Sequence, residues 1–440
     1  MKKILIAILF LVLVAIVLIY VRNQNLSDAN MPGITPMPLP EKTFHQSPRD
    51  YNRFAVESYL KIVRSKGDEN AVFSPFSLSM AFEILYAGSR GTTSQALETL
   101  LHLPPGQTSP PQNPALFEYK APDFEFYVLQ DSGNLALYST PPIFMVGNSI
   151  WYSNKLTINP VFAKNMKAAF FLDTFPVDVT TNQAQVASDM EQWANRVTQG
   201  LIPSINPEPP VESSITLLNT LYFKAHWENK FLTSKTKDKP FTLANGEIIN
   251  VPTMCDEAGF PYMQNEELRA LEMPYFSILK DSSDGTVYGE GYFSMLFILP
   301  SAVDGIYALE EKLSEEFLRD IVRSLRHAYL EVSIPKFRLE QENNLRTIFE
   351  DDGLIRDADY SGMFTPNLFT NDISAKQKIV LGIDENGTEA AAAMEIGLSV
   401  SLPGDEPPIF IVDHPFLFLI REQKTGTILF LGRVMNPNER

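Results

Sequence analysis

Residues 384–403, DENGTEAAAAMEIGLSVSLP, constrain the fold more than any other stretch, because they satisfy two incompatible conformations at once. Four alanines between Glu389 and Met394 favour helix, alanine being the strongest helix former. Alternation favours a strand. Thr388, Ala390, Ala392, Met394, Ile396, Leu398 and Val400 share one face and gain apolar bulk along it; Glu389, Ala391, Ala393, Glu395, Gly397, Ser399 and Ser401 share the other and stay small or charged. Such a strand would span about 46 Å at ~3.3 Å per residue, longer than usual strands. Alanine and glycine are poor strand formers, so the segment does not hold itself extended alone. A segment patterned to enter a sheet yet unfit to stand as a strand reads as a conformational switch. The plain alternative is a short surface helix followed by a loop.

The surrounding chain can bury a sizeable core: 45% of its 440 residues are hydrophobic and 20% charged. Its length allows two or three domains or one large mixed one. A formal charge of −17, with no basic stripe after the first residues, argues against nucleic acid. The single cysteine, Cys255, excludes an internal disulfide and a cysteine-based zinc site. None of the five histidines, His45, His102, His226, His327 and His414, belongs to an HExxH pair. There is no G-x-S-x-G elbow and no P-loop, and Gly289 and Gly291 lack the third glycine of a dinucleotide fingerprint. Enzyme chemistry has no support in the residues, and no metal or cofactor is implied.

Lys2 and Lys3 precede an unbroken apolar run over 4–21, which reads as an export segment with a cytoplasmic start. Residues 1–29 are either a signal peptide, with a small-residue cleavage site before Asn30, or a retained membrane anchor. Residues 30–49 form a Pro-rich linker. Beyond it, spacing predicts a helix through Tyr51–Val63 stopped near Gly67, a second capped by Ser77 and ending at Gly88, and a third behind a Thr92–Gln95 capping box. Residues 104–122 are a proline-rich loop or insertion, and Val186–Val197 another helix closed by Gly200. The runs 215–223, 293–299, 329–334 and 379–383 read as strands, and 413–421 with 427–434 as a terminal hairpin about Lys424–Gly426. Helices early and strands late indicate an α+β architecture.

Five motifs in order then resemble one family. Asn70-Ala-Val-Phe-Ser74-Pro75-Phe-Ser-Leu resembles a lead into a second helix, and Thr216-Leu-Leu-Asn219-Thr-Leu-Tyr-Phe-Lys-Ala-His-Trp227 a central strand ending in a tryptophan. Ser333-Ile-Pro-Lys336-Phe, Phe410-Ile-Val-Asp-His414-Pro415-Phe416 and the hinge-like Glu385-Asn386-Gly387-Thr388-Glu389-Ala390-Ala391-Ala392-Ala393 complete the set. Over roughly residues 50–436 the chain resembles the serpins, inhibitors of serine proteases, of the inhibitory type.

The resemblance implies one domain over 50–440 with three β-sheets, about nine helices and an exposed reactive loop at about 384–408. A target protease attacks the loop and is held as an acyl-enzyme, a covalent complex, while the cut loop inserts into the main sheet. Counted from the hinge the reactive bond is Ser401–Leu402, with Val400 and Leu398 as bait neighbours; counted back from His414-Pro415-Phe416 it falls near Gly404. Small bait residues suit elastase-like or subtilisin-like proteases, and the absence of Arg or Lys argues against trypsin-like ones. Glu385 and Lys336 match positions that pair at the top of the sheet. Ser74, Asn219 and Trp227 match the region that opens for insertion, where Gln377 replaces a histidine common among relatives. No charge or proline interrupts the Thr388–Val400 face, which favours an inhibitor over a non-inhibitory serpin acting as a binding or chaperone protein. No basic heparin-binding face is evident over 93–125, the Asn386-Gly387-Thr388 sequon reads as coincidental, and a monomer is expected.

Overall fold

The computed structural model describes residues 47–103 and 143–439, apart from 181, 199, 201–203, 212–213, 277, 281–286, 290–292, 350–351, 353, 355–357, 366–368, 371–372 and 389–407. The apolar run at 4–21, the linker, the proline-rich 104–122 and the alternating stretch from Glu389 onward therefore lie outside the described residues. No helix among those described is long and apolar enough to cross a membrane.

Eight α-helices are described. The first, Pro48–Lys66, starts where the Ser47 hydroxyl accepts from the Asp50 N–H and stops at Gly67, whose φ of 55° only glycine adopts at no cost. It buries Tyr51, Phe54, Ala55, Tyr59, Ile62 and Val63, the residues its spacing marks. The second, Pro75–Gly88, is capped by Ser74 rather than Ser77: the Ser74 hydroxyl accepts from the Ser77 N–H, and Pro75 occupies the first turn, where no N–H is needed. The third, Gly91–Leu100, has no side-chain cap. It begins ahead of Thr92, so the capping box expected there does not form.

Six strands make the main sheet: Phe337–Asn344, Ile373–Asp384, Gly387–Thr388, Ile215–His226, Ile143–Ser153 and Leu172–Val177, in that spatial order. A second array of nine strands divides physically into two sheets. Its long strand Ile248–Gln264 pairs with Leu268–Pro274 through only Tyr262–Gln264, whereas it meets Arg326–Pro335 along ten residues. The resulting three sheets with mixed helices are the architecture the sequence implies. Strands buried almost throughout, such as Ile215–His226, arise because both faces are covered. One face lies on the main core, and the other receives Trp193, Met190 and Val186 of helix Gln183–Val197 against Trp151 and Leu218.

A buried ion pair ties this core together. Arg433, 2% exposed at its side chain, bonds Glu310 at 2.9 Å, and the Tyr59 hydroxyl donates to the same carboxylate at 2.6 Å. Glu310→Ala strands a buried guanidinium, so a loss of about 3–5 kcal/mol in denaturant unfolding is expected. An unchanged midpoint would show that the Glu69 and Gly67 carbonyls, which also accept from Arg433, suffice alone.

Candidate functional site: a cleft at the top of the main sheet

The two central strands of the main sheet run together and then part. Ile373–Asp384 pairs parallel with Ile215–His226 from Ile373↔Ile215 to Lys378↔Thr220, and no further. Above that point each strand keeps its outer partner, Phe337–Asn344 on one side and Ile143–Ser153 on the other. The inner edges of 379–382 and 221–224 have no mutual pairing. At the mouth of this cleft sits the short strand Gly387–Thr388, antiparallel to both walls, with Thr388 opposite Ala225 and Ile383. Gly387 has φ 148°, and a Cβ there would collide with the Ala225 carbonyl oxygen, so glycine is required.

The seat of Thr388 is aromatic. The residue is fully buried, and its hydroxyl lies 2.7 Å from the Tyr275 hydroxyl. Tyr275 stacks on Trp227 at a centroid distance of 4.6 Å and an angle of 9°. The Trp227 indole donates to the Asp384 carbonyl at 2.9 Å, and its backbone N–H to the Asn386 carbonyl at 2.8 Å. Lys336 Nζ lies 2.9 Å from Glu385 Oε2, and the Thr236 hydroxyl donates to Glu385 Oε1 at 2.7 Å. Burial acts to raise the Glu385 carboxyl, but hydrogen bonds from Lys336 and Thr236 outweigh it and hold the group below the usual glutamate range. Desolvation dominates at the neighbouring Asp384, which is raised, and at His226, which is lowered. Lys336 is partly exposed, so its pair is worth ~1 kcal/mol or less.

Where the central strands do pair, a chain of neutral polar groups crosses the sheet into helix Pro75–Gly88. Gln377 donates to the Ser74 carbonyl at 2.9 Å and to the Ser77 hydroxyl at 3.0 Å, and its own oxygen accepts from the Ser74 N–H at 3.2 Å. Ser77 donates to Asn219, which donates to Asn148 at 2.7 Å. The Ser74 hydroxyl reaches the Leu429 carbonyl at 2.7 Å. None of these five side chains titrates near neutrality, because an amide stands at 377 where an imidazole would respond to pH.

The structure thus brings together Glu385, Gly387, Thr388, Trp227 and Lys336 at the mouth, and Ser74, Asn219 and Gln377 where the strands join. Glu389, Ala390, Ala391, Ala392, Ala393, Leu398, Val400, Ser401 and Leu402 lie outside the described residues. Sequence reasoning passes over Tyr275, Thr236, Ser77 and Asn148 as members of these clusters. Nothing local marks Tyr275, since its partner Thr388 is 113 positions away. Among the described residues no group of three or more His, Cys, Asp or Glu could hold a metal ion.

Comparison with known proteins agrees with this geometry. Residues 49–437 match the family model described as serpin, serine protease inhibitor. A serpin-like protein of Thermococcus kodakarensis is 32% identical over 395 residues, covering 88% of this chain and 85% of its own. The crystal structure of Serpin48 from the insect Tenebrio molitor superposes with a TM-score of 0.71 at 24% identity, covering 89% of this chain and 98% of that one. Human thyroxine-binding globulin in complex with thyroxine gives 0.70 at 24% identity, with the same coverages. These two structures show the fold, and the family model with the archaeal relative shows the kinship: the chain belongs to the serpin family.

Proposed function

We propose that this serpin is an inhibitor, not an enzyme, that traps an elastase-like or subtilisin-like serine protease as an acyl-enzyme cleaved at Ser401–Leu402. The observation that carries the reading is the register of Gly387–Thr388. Were the cut loop to continue antiparallel from Thr388, Ala390 would come against Phe223 and Leu381, Ala392 against Leu221 and Ile379, and Met394 against Asn219 and Gln377. Ile396 would then meet Leu217 and Ala375, and Leu398 would meet Ile215 and Ile373, the first residues of both walls. Every one of these wall residues is buried. The small-to-large face of the loop is the one that would enter the core, with Leu398 level with the first residues of both walls and Val400 running one position of the face beyond them. Small residues come first, where the cleft must begin to part.

In this reading the protein works as a monomer beyond the membrane it is exported across. Residues 1–29 serve as signal peptide or anchor and 30–49 as a stalk to one domain over 50–440. The likeness of fold to thyroxine-binding globulin, whose solved complex holds thyroxine, supports the second reading, a non-inhibitory binding protein. Incubation with an elastase, a subtilisin, a chymotrypsin and a trypsin separates the two. The expected result is a denaturant-resistant complex with the first or second enzyme, a released peptide starting at Leu402, and a marked rise in the melting temperature of the cleaved protein. Cleavage with neither complex nor stabilisation would establish the non-inhibitory reading.

A further inference from the structure

Residues 204–211, between helix Gln183–Val197 and the central strand Ile215–His226, reach across the seam where the two central strands still pair. We propose that they form a strap whose buckle, Glu208, must let go before that seam can part. Glu208 holds both members of a single rung. Its carboxylate accepts from the Ser374 hydroxyl at 3.3 Å, and its backbone carbonyl accepts from the Thr216 hydroxyl at 2.7 Å. Ser374 and Thr216 stand directly opposite each other in the parallel ladder. Two positions along the same face, Lys376 Nζ lies 2.9 Å from Glu208 Oε1. One residue thus spans the joint, by its side chain on one strand and its main chain on the other. The Lys376 hydrogen bond keeps the Glu208 carboxyl below the usual glutamate range, so the buckle is charged near neutrality.

Both ends of the strap are fastened to the helix. The Glu191 carboxylate accepts from the Ser204 hydroxyl at 2.9 Å, the Asn206 N–H at 2.8 Å and the Ile205 N–H at 3.2 Å. These bonds hold Asn206 at φ 41°, a left-handed conformation that asparagine adopts more readily than most residues. Ile205 is buried with Trp151, Trp193 and Leu218. Beyond the buckle, the Gln183 amide donates to the Pro210 carbonyl at 3.2 Å. With the strap tied on either side of it, Glu208 cannot follow both strands apart. Admitting one more strand widens the joint by ~4.8 Å, which breaks the hold on Thr216 or on Ser374 and Lys376. A parallel ladder is slightly weaker than an antiparallel one, so the buckle adds hold where the pairing itself is least secure. The clasp belongs to the uncut molecule, and only its part in insertion rests on the trapping reading above.

Hydrogen exchange of the intact full-length protein tests the clasp in the parent, Glu208→Ala, Thr216→Val and the double variant. Amides of 215–220 and 373–378 are expected to exchange about 5-fold faster in each single variant. Those of the outer ladder, 337–340 with 380–383, should keep their rates, whereas a general loosening would speed both. The double variant should exchange little faster than either single one, because a buckle undone on one side holds nothing. Unchanged exchange at the seam, equal acceleration of the outer ladder, or additive effects would each overturn the clasp. Stopped-flow tryptophan fluorescence then follows insertion after mixing with subtilisin, at concentrations where cleavage no longer limits; Trp151 and Trp193 lie in the cluster that holds Ile205. Glu208→Ala is expected to insert about 5-fold faster than its parent. An equal rate would overturn release of Glu208 as the step that precedes insertion. A parent with neither the fluorescence change nor a gain in thermal stability on cleavage would fell the insertion reading, and the clasp would stand or fall by its exchange.

Discussion

Thr388→Arg is expected to leave a folded protein whose loop is still cut at the same bond, while the covalent complex all but disappears. Thr388 is fully buried between Ala225 and Ile383, with its hydroxyl on Tyr275 beneath the Trp227 stack. An arginine in that seat would have to bury a guanidinium with no carboxylate to receive it, since Glu385 is already bound by Lys336 and Thr236. Burying an unpaired charge costs several kcal/mol, so the hinge would stay outside the cleft. About 3 kcal/mol added to the insertion barrier slows insertion on the order of 100-fold, and hydrolysis of the acyl-enzyme then wins. The ratio of trapped to merely cleaved protein on a denaturing gel should fall by that order. Thr388→Val, which keeps the shape and loses only the Tyr275 bond, should still trap. A Thr388→Arg protein that traps as well as its parent would mean that position 388 need not enter the sheet at all.

The second large effect concerns Glu83, in the middle of helix Pro75–Gly88. It is 1% exposed, and its Oε2 finds no hydrogen-bond partner among the described residues. Desolvation raises its pKa to about 8 from 4.5. The folded protein therefore holds a proton on Glu83 that the unfolded chain has lost, over the interval between those two values. Folded-state binding of the extra proton means that stability is full below about 4.5, falls as pH rises through the interval, and levels off above 8. The loss amounts to about 5 kcal/mol as an order of magnitude, at ~1.4 kcal/mol per unit. Glu83→Gln, of nearly the same shape, abolishes it. Denaturant melts from pH 5 to pH 9 should show the parent weakening and the variant weakening far less. Parallel curves would mean that a water or a shift of the helix satisfies the carboxylate.

The fold was legible because its marks are local and periodic. The helix through Tyr51–Val63, the central strand through Asn219 and the terminal hairpin each carry their pattern within a dozen residues. The strand Ile143–Ser153 carries none, because Gly147, Asn148 and Ser149 interrupt its apolar residues, and Asn148 is buried as the acceptor of the Asn219 amide. The misplaced cap shows a different limit. Ser74 and Ser77 are both serines before an apolar run, and only the pyrrolidine at Pro75, fit for a first helical turn, distinguishes them. At the site, Gly387, Trp227 and Lys336 stand in motifs, whereas Tyr275 and Thr236 reach their partners only through sheet topology. The motif residues can be named from the chain, and the seat they form needs three dimensions.

The parting of the central strands above Lys378 and Thr220 gives the proposed trap its tempo. A strand entering a closed sheet would first have to break a ladder while gaining nothing, the slow start common to cooperative transitions. Here the outer strands already hold the walls apart and two residues are already seated, so the cut loop begins past its nucleus. In the proposed race against water for the acyl bond, that head start would decide how many proteases are caught. The same head start works on the uncut molecule, whose hinge always leans toward the cleft. The strand edges along 221–224 and 379–382 are thus also a clock on its shelf life, running slowly for as long as no protease arrives.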